Sequence, residues 1–203
     1  MYALDEVKVD ATQFRHAVET DEPYVTLYVK LKLTWECNLR CRMCNVWRQS
    51  RSEQLSTQRV CSLAAELADL GCKKVHLTGG EVLTRPDLPA VIEAFVRRGV
   101  RVNLTPNGTL LTRELALRLA DSGLRSISVS LDSPDRKVHD ALRGSGAWKR
   151  TTKGAGYLRK AIDRLKVKVH LRCNTVISRA NVHSLAGMAG FAAASREARE
   201  GLA

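Results

Sequence analysis

The sequence predicts an α/β fold: a sheet of five parallel strands, each followed by a helix, either doubly wound or barrel-like. Three observations carry this expectation. Short runs rich in β-branched and aromatic residues alternate five times with stretches whose apolar residues recur at helical spacing. Glycines such as Gly71 and Gly99 stop the helices. Unusual residues follow the strands: three cysteines, a Gly-Gly-Glu, a Pro-Asn-Gly and a Ser-Leu-Asp-Ser. Alternation alone suits either a doubly wound sheet or a barrel. Right-handed crossovers would bring all these strand ends to one edge, where barrels build their chemistry.

The first extended run, Tyr24 to Trp35, leads straight into the cysteines. Leu55-Ser56-Thr57 offers an N-cap for the helix QRVCSLAAELADLG. Lys73 to Thr78 is the second strand, closed by Gly79-Gly80-Glu81, and Pro86 and Asp87 open the helix LPAVIEAFVRRG. Val100 to Thr105 is the third strand, ending in Pro106-Asn107-Gly108, and Thr112 caps RELALRLADSG. Leu124 to Leu131 is the fourth, ending at Asp132; a polar loop then leads to a helix over Thr152 to Arg164. Val167 to Ile177 is the fifth, with Asn181 as cap of a last helix, VHSLAGMAGFAAASREARE. Residues 1–23 read as an N-terminal extension and 24–203 as one domain. An open arc of five strands leaves an unpaired edge, so a truncated barrel, or a partner that completes it, is expected.

The 203 residues suffice for a sizeable core, and no run approaches the ~20 apolar residues of a membrane span. The N-terminus, MYALDEVKVDATQ, has early acids and no apolar signal region, so a cytoplasmic location is expected. The net charge of +12 is carried by dispersed residues with no basic block interleaved with aromatics, which argues for a solvated surface and against nucleic acid. Six cysteines in a chain of this length do not make a disulfide scaffold. Cys61, Cys72 and Cys173 read as buried small hydrophobes.

Cys37, Cys41 and Cys44 stand at C-x3-C-x2-C spacing, which suits three corners of an iron–sulfur cube with one iron left open. Three cysteines and a histidine are also a structural zinc set, although His16, His76, His139, His170 and His183 all lack the usual local spacing. The wider sequence separates these readings. CNLRCRMC, then LTGGE, TPNGTLL, SISVSLDSPDRKVHDALRG and NTVISRANVHSL resemble, in order, the successive strand-end motifs of the radical S-adenosylmethionine superfamily, from about Tyr24 to His183.

That resemblance implies a partial TIM barrel with five of the six βα units of a radical SAM core, a 4Fe-4S cluster held by Cys37, Cys41 and Cys44, and S-adenosylmethionine bound at the open iron. Glu81 would accept from the cofactor's amino group, with Gly79 and Gly80 allowing close backbone approach, unless that pair is merely a turn. Arg143 matches the position that pairs with the cofactor carboxylate, or is one more arginine of a basic surface. Ser128 and Ser130 share one face of the fourth strand and suit the ribose or carboxylate; Ser130 is nearer the strand end. Thr105 and Asn107 line the site or belong to a turn, Asp132 reaches the ribose or caps a turn, Asn174 falls at a family position, and backbone near Val176 and Ile177 meets adenine. Met43 stands where the family usually has an aromatic residue.

The activity so implied is reductive cleavage of S-adenosylmethionine to a 5′-deoxyadenosyl radical, which takes hydrogen from a peptide or small-molecule cofactor precursor. A low-potential donor of ferredoxin or flavodoxin type would supply the electron. The other reading is an inactive fragment or a cluster-binding subunit that needs a partner. No residue is assigned to substrate chemistry, and the absence of cysteines after Cys173 argues against a second cluster within the chain.

Overall fold

The computed structural model describes residues 11–22, 26–49 and 54–197. One sheet runs β1 (Tyr28–Thr34), β2 (Lys74–Gly79), β3 (Arg101–Leu104), β4 (Ser126–Ser130), β5 (His170–Asn174), in that order. Every neighbouring pair is parallel. A doubly wound sheet reverses its strand order at a switch point. This one does not, so the arrangement is of the barrel type, with β1 and β5 left as edges among the described residues.

Register separates the two faces. Leu31, Leu77, Leu104, Ile127 and Leu171 pair in a continuous row across all five strands. This apolar face packs under α2 (Thr57–Asp69), α3 (Leu88–Val96), α4 (Arg113–Asp121) and α6 (Ala147–Leu165), with Val60, Ile92, Phe95, Leu119 and Leu158 essentially inaccessible. Each such side chain contributes roughly 1.5–3 kcal/mol by leaving water. The opposite face carries the row Lys30, His76, Asn103, Ser126 and His170.

Two of the expected caps form. The Ser56 hydroxyl accepts from Arg59 N–H and Thr112 from Leu115 N–H, both at 3.1 Å. Asp87 sits at the α3 N-cap position without capping it; its carboxylate instead pairs with the Arg85 guanidinium and accepts from Thr57 at 2.7 Å.

Four expectations change. The polar loop after Asp132 contains a helix, α5 (Arg136–Arg143), started by Asp135, whose carboxylate accepts from Lys137 N–H; it buries His139, Leu142 and Arg143. The next helix begins at Ala147 rather than Thr152, because the Asp140 carboxylate accepts from the N–H groups of Gly146 and Trp148 and anchors its first turn. Asn181 does not cap the last helix: a 3-10 turn (Val182–Ser184) precedes α7 (Leu185–Glu197), and the Asn181 side chain is used elsewhere. Cys173 is exposed rather than buried, since β5 is an edge strand, whereas Cys72 is buried as expected.

Apart from the C-terminal end of β2, which takes in Gly79, the strands are also shorter at both ends than their apolar runs. Tyr24 and the neighbouring residues 23 and 25 lie outside the described residues, and β5 covers only the middle of its run. A further helix, α1 (Ala11–Thr20), lies within the N-terminal extension. No helix among the described residues is long and apolar enough to cross a membrane.

Candidate functional site

The cysteine segment leaves β1 and is stitched at once to the turn after β2. Gly80 N–H donates to Thr34 O at 2.8 Å and Glu81 N–H to Glu36 O at 2.7 Å. A Cβ on Gly79 would stand 2.1 Å from Thr34 O, and one on Gly80 2.1 Å from Glu36 O. Gly79 also has φ +143°, a conformation L side chains rarely adopt. The glycines are therefore required by the approach of two backbones, which brings the cysteines beside Glu81.

Within the segment, the Cys37 sulfur accepts from Leu39 N–H at 3.5 Å and Cys44 N–H donates to Cys41 O at 3.1 Å. Trp47 Nε1 donates to Cys41 O at 3.4 Å, and Arg42 N–H to Leu142 O at 2.9 Å, fastening the loop to the end of α5. Cys41 is buried, while Cys37 and Cys44 are half-buried. Burial pushes the thiols of Cys37 and Cys41 up, with Arg143 opposing the shift in both. Thiols so placed become thiolates when a cationic group sits among them, which suits a metal–sulfur group. Among the described residues no three thiol, imidazole or carboxylate groups converge on a point for a single ion.

Glu81 is 1% exposed. Burial raises its carboxyl to about 7, against hydrogen bonds from Asn107 N–H (2.5 Å) and Leu83 N–H (3.0 Å) and the nearby Arg143. Asn107 in turn donates through Nδ2 to Asn38 Oδ1 at 2.9 Å, and Asn38 donates to Thr109 Oγ1 at 2.8 Å, so the cysteine loop and the β3 turn share one ring of bonds. The Thr151 hydroxyl of α6 closes on Asn107 O at 2.8 Å.

Arg143 and Asp132, expected to meet different parts of a cofactor, meet each other. Nε donates to Oδ2 at 2.6 Å and Nη2 to Oδ1 at 3.1 Å, with both residues buried. Val176 N–H donates to the same Oδ1 at 3.0 Å. Asn181 Nδ2 donates to Asp132 O and Val176 O, locking the turn after β5 to the turn after β4. His139 Nδ1 accepts from Asp132 N–H at 3.1 Å; burial and Arg143 push this imidazole down to about 4. Arg143 is thus the electrostatic centre, close enough to shift Cys37, Cys41, Glu81 and His139.

Ser130 and Asn174 pair in register on the last row of the helix-free face, and Ser128 lies one row further in, opposite Arg172. The Thr105 hydroxyl lies 3.0 Å from His76 Nε2. Met43, Val176 and Ile177 are exposed. Sequence reasoning missed Asn38, His139 and Asn181 as supports. Asn38 lies inside the cysteine motif, but no spacing rule marks the residues between ligands. A cavity of about 590 Å³, lined by Val129, Leu171, Phe191 and neighbours between α6, α7 and β5, lies on the helix side and is not part of this site.

Fold and site together define a class: a parallel barrel-type sheet whose strand ends carry a thiol trio beside a buried carboxylate. Residues 31–173 match the Radical SAM superfamily, and the chain belongs to that family. It is 35% identical over 156 residues to an AdoMet-dependent heme synthase of Nitratidesulfovibrio vulgaris, covering 75% of this chain and 41% of that protein. It is 36% identical over 139 residues to a GTP 3′,8-cyclase of Psychromonas ingrahamii, covering 66% of this chain and 41% of that one. Among solved structures, Streptococcus suis SuiB bound to S-adenosylmethionine superimposes with a TM-score of 0.78 at 18% identity, over 91% of this chain and 42% of SuiB. The chain spans about two fifths of the length of these proteins. The family is one of enzymes that use a 4Fe-4S cluster and S-adenosylmethionine.

Proposed function

We propose that this chain forms the cluster- and cofactor-binding part of a radical S-adenosylmethionine enzyme, with Cys37, Cys41 and Cys44 as the three iron ligands. The observation that carries the reading is the gathering of these thiols beside the buried Glu81 at the strand ends, in the electrostatic reach of Arg143. Bound there, cluster and cofactor together supply a one-electron cleavage that generates a 5′-deoxyadenosyl radical for hydrogen abstraction.

The chain's own residues do the rest. Glu81, aimed by the N–H groups of Asn107 and Leu83, accepts from the cofactor's amino group as an anion. Neighbouring cationic groups favour that charged form despite burial. Arg143 is oriented by Asp132 and leaves Nη1 outside the pair for a carboxylate. Ser130 and Asn174 offer hydrogen bonds to the ribose and carboxylate from the last row of the sheet, with Ser128 behind them. Asp132 is a positioning residue rather than a ribose ligand, because its carboxylate is taken by Arg143 and Val176 N–H. Gly79 and Gly80 bring the thiols and Glu81 together, and Thr105 acts through His76. The electron comes from a low-potential donor of ferredoxin or flavodoxin type, and the setting is cytoplasmic. Relatives named as a heme synthase and a GTP cyclase support a small-molecule substrate.

The test is electron paramagnetic resonance on anaerobically reconstituted, dithionite-reduced protein, with and without S-adenosylmethionine. A 4Fe-4S signal that changes on adding the cofactor is expected, and Cys41→Ala should abolish cofactor cleavage. An undiminished cleavage rate in that variant would refute the ligand assignment.

A further inference from the structure

The helix-free face of the sheet is basic. Its rows hold Lys30, His76, Asn103, Ser126 and His170, then Lys32 with Thr78 and Ser128 with Arg172. The described strands put no Asp or Glu on this face. Elsewhere the arginines do find acids: Arg59 with Glu66, Arg97 with Glu93, Arg136 with Asp140. Among the described residues Lys30, Lys32 and Arg172 have no such partner. An ordinary solvated surface mixes both signs, as the helices do. Uncompensated charge of one sign over a low-dielectric wall attracts the opposite sign.

We propose that the substrate is a polyanion, carrying two or more carboxylate or phosphate groups, held against this face by Lys30, Lys32 and Arg172. The inference rests on the radical SAM reading of the strand ends above it. Arg172 and its partner Ser128 lie two residues, about 7 Å, before the last pair of this face, Ser130 and Asn174, and Lys32 lies two residues before Thr34, where a register shift pairs β1 with Gly79. A ligand there lies directly beneath the cofactor site. Lys32 reaches from β1, its ammonium 4.5 Å from the centre of the Trp35 ring. Arg172 reaches from β5 at the opposite edge, four strand spacings or about 19 Å away, and a guanidinium grips carboxylate or phosphate through two bonds. Between them Ser128 and Thr78, both half-buried, offer hydroxyl donors. Lys30 and Lys74 stand near enough to His76 to help hold it neutral, so cations gather at one end of the face.

The experiment is calorimetric titration of the full chain with inorganic tripolyphosphate and, separately, tricarballylate, at about 0.15 M salt. One-to-one binding of either probe is expected, and the better probe identifies the anionic group. The double variant Lys30→Gln/Arg172→Gln should weaken binding about tenfold or more, Arg172→Lys should weaken it less, and Arg98→Gln, on an exposed helix end, should leave it unchanged. No binding by the wild type, several probes bound per chain, or an equal loss in Arg98→Gln would overturn the proposal. Failure of the cluster reading appears in the wild-type resonance spectrum instead, so the two are separable.

Discussion

Arg143 illustrates how one side chain organises the site. Its ion pair with Asp132 is bidentate and buried, and the same carboxylate also accepts from Val176 N–H. Breaking a buried pair from one side leaves an unpaired charge in a poor solvent, at a cost of about 3–5 kcal/mol. Asp132→Ala should therefore lower unfolding free energy by that amount in urea titration, more than a surface carboxylate would. His139 sets a pH limit beside it. Its folded value of about 4 lies below the ordinary 6.5, so the unfolded chain binds the proton more readily. Stability from this residue is complete above pH 6.5 and is lost as pH falls toward 4, on the order of 3 kcal/mol by linkage. Melting followed from pH 7 to 4 should show that decline, and His139→Gln should flatten it.

At the scale of elements, the decisive contact is the backbone seam between the end of β1 and the turn after β2. Gly80 lets Glu36 O come within 2.1 Å of where a Cβ would stand, and the obstacle is main chain, which does not rotate away. Gly80→Ala must push the cysteine loop off Glu81. The expected outcome is markedly lower iron content after reconstitution although no cysteine has changed; iron and sulfide assays decide it. The α5 helix plays a similar part from the other side: its Leu142 carbonyl holds the loop through Arg42 N–H, while its last residue supplies the guanidinium. The sequence hid this helix because its eight residues are mostly polar, with only His139, Leu142 and Arg143 buried.

Across the whole molecule, the core that holds the fold lies under the helices on one face of the sheet, whereas the thiol trio and Glu81 gather at the strand ends. The apolar core under the helices includes Cys72 but none of Cys37, Cys41 or Cys44. Cys41→Ala should accordingly keep its far-ultraviolet circular dichroism and a cooperative unfolding transition within about 1 kcal/mol of wild type while losing the cluster signal. The helix-free face gains little from packing and is thereby available for cations that an interior would reject.

The sequence by itself determined the alternation of strands and helices, the common edge to which the motifs converge, the family and the thiol trio. Periods of two and of about four residues report burial directly, and the cysteine spacing reports donor chemistry. Only the tertiary structure decided that Asp132 takes Arg143, that Gly79 and Gly80 serve a seam between backbones, that Asn107 aims Glu81, and that Cys173 is exposed on an edge. Each depends on distance between residues far apart in the chain. Asn107 and Glu81 are 26 positions apart, and no local periodicity encodes a contact that packing creates.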